Sequence, residues 1–262
     1  MNTMQYAVIR KDIKGITDNR NLFIAIITVP LVMAVFVPSL FILMAHFMPQ
    51  DLNDFDVLLQ LLPINKHYES VNLTIISLLL NNIMPVFFVM IPIMASSIMA
   101  ASAFVGEKEK RTLETLLYCP LTLKEIFQAK VMAAVLLSGI VTLAAFIVMV
   151  VVTQVEIFLT MGRFLLPGPS WLVVLLVLAP ALSFIAITLI VKGSAKAKTM
   201  EEAQQRSTFL VLPVVFLMVG QFTGVLLVNL WILLALGVVL AVAAWLLIRG
   251  SFQKVSYESL LR

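Results

Sequence analysis

Charge is scarce in this chain. Asp, Glu, Lys and Arg make up 12% of its 262 residues, against about a quarter in an ordinary soluble domain. Apolar residues reach 61%, and the mean hydropathy is +1.07. The deficit excludes a solvated globule. A fully buried soluble helical bundle is the other reading, but it would leave large apolar patches exposed. Cysteine is nearly absent as well. Cys119 stands alone, which excludes an internal disulfide framework. Two chemical signatures are also missing from the sequence. Without Gly-x-x-x-x-Gly-Lys-Ser/Thr there is no phosphate-cradling loop, and without His-Glu-x-x-His there is no helical zinc site. His46 and His67 read as surface or interfacial histidines rather than metal ligands.

What fills the chain is apolar runs of roughly 20 residues, each long enough to cross a hydrocarbon core about 30 Å thick. The reading is an all-α integral membrane protein with six spans, at about 22–48, 71–104, 124–153, 171–191, 203–220 and 230–249. All but Lys66 and Arg163 of the 18 basic residues fall in the two tails and in the second and fourth loops. The positive-inside rule then puts both termini and those loops in the cytoplasm. The opposite side holds Asp51, Asp54, Asp56, Glu69 and Glu156. The pI near 9.3 is explained by this asymmetry, without nucleic acid as a partner. No ionisable residue lies deep in a proposed span. Such residues commonly mark proton relays and ion sites, so a proton-coupled transporter is disfavoured.

Residues 1–21 are polar and mixed, unlike a cleaved leader. Tyr6, Ile9, Ile13 and Ile16 recur at helical spacing, with Arg10, Lys11 and Lys14 elsewhere on the wheel. The pattern predicts an interfacial helix lying among lipid headgroups, with Gly15 as its end. Pro30, Pro38, Pro85 and Pro92 predict kinks in the first two spans. The last hairpin is tight: no charge separates Arg206 from Arg249. Residues 220–229 read either as a re-entrant segment on the outer side or as a tight turn between two short spans.

One charged island interrupts the apolar sequence, "GEKEKRTLETLLYCPLTLKEIFQAK" at 106–130. Glu107 with Arg111 and Lys110 with Glu114 are spaced four apart, as helical ion pairs are. Leu113, Leu116 and Leu117 form an apolar stripe. Pro120 stops that helix. Thr122 and Glu125 match a capping box, with Leu121 and Ile126 placed as its staple. The segment thus reads as a short cytoplasmic amphipathic helix at about 106–119, needing a surface to pack on.

This island resembles the signature of ABC-2-type transporter permeases. Gly106, Glu107, Lys108, Glu109, Thr112, Leu113, Glu114, Leu116, Leu117, Pro120 and Lys130 stand in the places of that pattern. "GSAKAKTMEEAQQ" at 193–205 resembles a second stretch of the same family. The resemblance implies that the segment is a coupling helix, seated on a separate ATP-binding subunit through Gly106–Glu109, Arg111–Glu114, Leu116 and Leu117. It also implies a dimer with a second permease, a copy or a paralogue, and two ATP-binding subunits that carry ATP and Mg. This chain itself would bind no cofactor and catalyse nothing. The implied role is export across a bacterial plasma membrane. A non-transporting anchor that recruits an ATPase, or a secondary transporter or channel, are the alternatives.

Neutral polar residues remain inside the apolar spans: Asn81 and Asn82, with Gln221, Thr223 and Asn229 in the last hairpin. They read as a possible substrate path or as helix–helix hydrogen bonds.

Overall fold

Caps and prolines set the helix boundaries. The computed structural model describes residues 3–47, 71–109, 121–194, 197, 199–223 and 229–253. Among these residues there is no strand. The helices are α1 (Thr3–Thr17), α2 (Arg20–Met44), α3 (Leu73–Glu109), α4 (Leu123–Met161), α5 (Ser170–Ser194), α6 (Met200–Thr208), α7 (Val211–Phe222) and α8 (Leu230–Gln253). Five of them, α2 to α5 and α8, are long and apolar enough to cross a membrane.

The expected span at 203–220 is not one helix. It divides into polar α6 and apolar α7, with a turn at Phe209 and Leu210. Pro213 is the cause. It has no N–H to offer the Phe209 carbonyl four residues back, and its ring crowds that carbonyl. The Leu210 amide turns to Ser207 O instead, at 2.9 Å. α7 alone is shorter than a full crossing.

Prolines in the longer helices are accommodated rather than terminating. Wide, π-type turns occur at Val32–Phe36, Leu79–Ile83 and Val174–Leu178. Each ends two residues before a proline: Pro38, Pro85 and Pro180. The wide turn contains the carbonyl that the ring would strike, and it moves that carbonyl aside. Pro92 acts differently: α3 turns at Val89, next to the Phe88 carbonyl that Pro92 leaves without an amide. Pro30 sits inside α2 without interrupting it.

α3 is the central helix. Its most apolar window is 89% buried, against 28% in α2, 22% in α4 and 17% in α8. Those outer helices expose Phe36, Ile147 and Val239. Apolar outer faces around one buried helix suit a bundle solvated by lipid tails. The core divides along its length. One end joins α1, the end of α3, the start of α4 and α6. The middle centres on Trp171, whose ring meets Phe88 and Phe146 at 5.2 Å each. The far end joins the end of α2 and the start of α3 to the end of α4 and to Leu165 beyond it.

α1 differs from the interfacial helix expected at 1–21. It runs through Gly15 to Thr17, and Asn19 caps α2. Its buried face comprises Gln5, Val8, Ile9, Asp12 and Ile16. Tyr6 points away and is exposed. The apolar stripe packs on protein, so lipid headgroups can reach only the remaining faces.

Candidate functional site

The charged island begins where α3 ends, and the end of α3 is built unusually. A wide turn at Ala101–Val105 has no proline after it. It leads straight into Gly106–Glu109. Gly106 does not break the helix, since its φ of −61° and ψ of −33° continue it. Gly106 instead permits a close approach: a Cβ there would lie 3.0 Å from the Met200 sulfur at the start of α6. Wide turns of this kind recur at functional positions.

Glu107 is turned inward and is buried. Its Oε2 accepts a 2.7 Å bond from Lys130 Nζ, and its Oε1 a 2.5 Å bond from Lys11 Nζ. Lys130 lies about two turns into α4. Its ammonium also donates to the carbonyl of Ala103 and stands 5.6 Å from the centre of the Phe104 ring. Asp12 of α1 completes the cluster, 3.9 Å from Lys130 and 4.0 Å from Lys11. One carboxylate–ammonium knot therefore ties α1, α3 and α4 together. Lys11 and Lys130 face Asp12 and Glu107, so these four charges balance. Buried charges require this kind of pairing.

Asp12 is its least satisfied member. Its Oδ2 accepts no hydrogen bond. Burial raises its pKa above the ordinary value, partly offset by the Lys130 charge. Where α4 starts, Thr122 and Glu125 form the predicted capping box. The Thr122 amide donates to Glu125 Oε2 at 2.9 Å, and the Thr122 hydroxyl adds a second bond to the same oxygen at 2.8 Å.

The fourth loop meets the second at the same place. Thr199 caps α6 through a 3.3 Å bond from the Glu202 amide. The next amide, Met200 N, donates 3.2 Å to Glu109 Oε2. Ala197 and Ala203 are fully buried beside this contact. The two stretches that carry the family resemblance are thus in direct contact, 91 residues apart in sequence.

A family model described as an ABC-2 family transporter protein matches residues 6–239. The chain belongs to that family. Comparison with curated proteins and with solved structures found no match. ABC-2 permeases generally partner with an ATP-binding subunit. In this permease the matched region runs from within α1 to the first part of α8, so the knot at Asp12, Glu107 and Lys130 lies within it.

The expected site residues of the permease separate into groups. Gly106, Glu107, Lys108 and Glu109 end α3. Glu107 faces the interior, whereas Glu109 is exposed. Arg111, Thr112, Leu113, Glu114, Leu116 and Leu117 lie outside the described residues, as do Cys119, Pro120 and His67. Exposed His46 stacks edge-on to Phe47 at 4.9 Å. Of the five neutral polar residues, Asn81, Gln221, Thr223 and Asn229 make side-chain hydrogen bonds within the protein. Asn81 accepts a 2.6 Å bond from Gly168 N and donates 3.0 Å to Ser77 O. Gln221 donates to the main-chain oxygen of Asn82 at 3.0 Å, while its own Oε1 is buried without a partner. Thr223 bonds back to Val219 O at 3.0 Å. Asn229 accepts from Ile232 N at 3.0 Å, at the start of α8.

Lys130 figured in the sequence only as a pattern match and Lys11 as a tail charge, and Asp12 was not singled out. A signal was present for two of them. Asp12 is three residues after Ile9 and four before Ile16, inside the stripe that α1 buries. Lys130 is four after Ile126 and three after Phe127, again on a buried face. An isolated charge on an apolar helical stripe asks for a partner.

Proposed function

We propose that this chain is the membrane subunit of an ATP-driven ABC-2-type exporter. It crosses the plasma membrane six times, with the α6–α7 pair making the fifth crossing and both termini in the cytoplasm. The segment at about 106–119 acts as the coupling helix. It rests on a separate ATP-binding subunit, which holds ATP and Mg, while this chain performs no catalysis. Two permeases, copies or paralogues, assemble with two such subunits.

The observation that carries this reading is the knot at the root of the segment. A lever transmits force only if its root is fixed. Glu107 is held by cations from α1 and α4, and Glu109 by the first amide of α6. A push on the segment beyond Glu109 would therefore reach α1, α3, α4 and α6 together. The inward position of Glu107 removes it from the candidate partner contacts. That role passes to Glu109, Arg111, Glu114 and the leucines. In a second reading the chain anchors an ATPase without transporting. Its support is that Asn81 and Gln221 donate their amide hydrogens to the protein's own main chain.

The test is co-purification with the ATP-binding subunit, followed by ATP-driven transport in vesicles. Leu113→Asp or Leu116→Asp places a charge in the proposed contact, so the partner should dissociate while the permease stays monodisperse. Partner binding and transport at parental levels would remove the coupling assignment. Retained binding without transport of any cargo tried would favour the anchor. Orientation has its own check: membrane-impermeant maleimide should reach Cys119 only after the membrane is broken, and prompt labelling of intact cells would invert the topology.

A further inference from the structure

A cavity of about 260 Å3 opens beside α1. Gln5 and Ile9 of α1, Gln128 and Met132 of α4, Phe184 of α5 and Ile248 of α8 line it. Its walls are mostly apolar. Met132 is 42% exposed, so the cavity is open on its outer side. The polarity of α4 is graded along this face. Lys124, Gln128 and Met132 are four residues apart, which stacks them on one stripe of the helix. Lys124 and Gln128 are both exposed. Passing from the helix end inward, the stripe presents a cation, then an amide, then an apolar wall, at about 6 Å per step. α8 adds an interfacial anchor at the same level. The Arg249 guanidinium lies 5.3 Å from the Trp245 ring centre, directly after cavity-lining Ile248. Trp and Arg at a helix end commonly mark the headgroup layer.

We propose that this cavity binds one acyl chain of an anionic phospholipid, with the phosphate at Lys124 and the ester region at Gln128. The order of phosphate, ester and hydrocarbon in a phospholipid matches the order along the stripe. A neutral cargo would have no use for the cation, and a fully solvated anion none for the apolar slot. Assignment to the inner leaflet rests on the cytoplasmic orientation proposed above; the binding site itself does not.

The experiment is native mass spectrometry of the purified full-length permease, titrated with palmitoyl-oleoyl phosphatidylglycerol or phosphatidylcholine. The parent should retain one tightly bound phosphatidylglycerol and hold phosphatidylcholine more weakly. Lys124→Glu should weaken phosphatidylglycerol on the order of tenfold, as expected for reversing a charge beside an anionic headgroup. Met132→Trp, which obstructs the mouth, should reduce both lipids. Lys192→Glu, an exposed charge outside the cavity, should behave as the parent. Equal retention of the two lipids by the parent would overturn the proposal. So would unchanged binding in both Lys124→Glu and Met132→Trp. A change in oligomeric state by Met132→Trp, with lipid retention unaltered, would assign the face to a second copy of the chain. Cys119 labelling reads the leaflet separately, so an inverted orientation and an absent lipid site give different results.

Discussion

Removing the Lys130 charge should destabilise the permease more than any surface change. Lys130→Met keeps most of the volume but takes away the ammonium that Glu107 binds at 2.7 Å. It also removes the cation 3.9 Å from buried Asp12. The Ala103 carbonyl loses the same donor. Lys11 stays beside the two carboxylates, and its side chain is 56% exposed. Leaving a buried charge uncompensated costs about 3–5 kcal/mol. At about 2–4 °C per kcal/mol for a chain of this size, the unfolding midpoint should fall on the order of 10 °C. Glu107→Gln should cost a similar amount. The double variant should recover part of the loss, since each substitution removes the charge that the other strands. Coupling of about 1–3 kcal/mol is expected between groups in direct contact. Lys11→Ala, at the exposed edge, should cost about 1 kcal/mol or less. The assay is thermal unfolding in detergent, followed by size-exclusion recovery, for the four members of the cycle. Two silent single variants, or losses that simply add, would refute the knot.

Three further outcomes follow from other contacts. Burial raises the Asp12 pKa above its ordinary value of 3.8, so the unfolded chain releases this proton first. Stability should decline as pH rises from about 3.8 through the folded pKa and then level off, and Asp12→Asn should flatten that slope in unfolding midpoints taken across pH. Gly168→Ala would bring a Cβ to 2.9 Å from Asn81 Oδ1, the atom that accepts the Gly168 amide; a loss of about 1–3 kcal/mol is expected by thermal unfolding, and parental stability would show that the loop yields freely. Trp171→Phe removes the 3.0 Å bond from Nε1 to Leu80 O and part of the ring set with Phe88 and Phe146; the acceptor left behind costs about 1–3 kcal/mol, visible as a lower midpoint.

Helix content, the apolar class and the capping box at Thr122 were legible in sequence, because each rests on near neighbours. The same holds for the family. Its motif is a run of residue types, and Gly106 to Glu109 can be recognised before any contact is known. Proline positions were legible too, but not their outcome. A proline forbids one bond and leaves the helix to widen, as at Leu79–Ile83, or to break, as at Phe209. That choice depends on whether neighbouring helices hold both sides of the turn in place. The break inside the fifth expected span was missed for this reason, since the continuity of a helix is not a property of composition.

The charged island shows the same division. Sequence alone determined that its charges lie between apolar spans, at a helix end, on the basic side of the chain. Charge patterning at spacing four marked them as helical, because the partners it considers are one turn apart. Only the tertiary structure decided that Glu107 answers to Lys11 and Lys130, 96 and 23 residues away. It also decided that Asp12 belongs with them, and that Glu109 reaches the fourth loop. The physical reason is desolvation. A carboxylate in water needs no particular partner, whereas a buried one must find cations wherever the packing of α1, α3 and α4 delivers them.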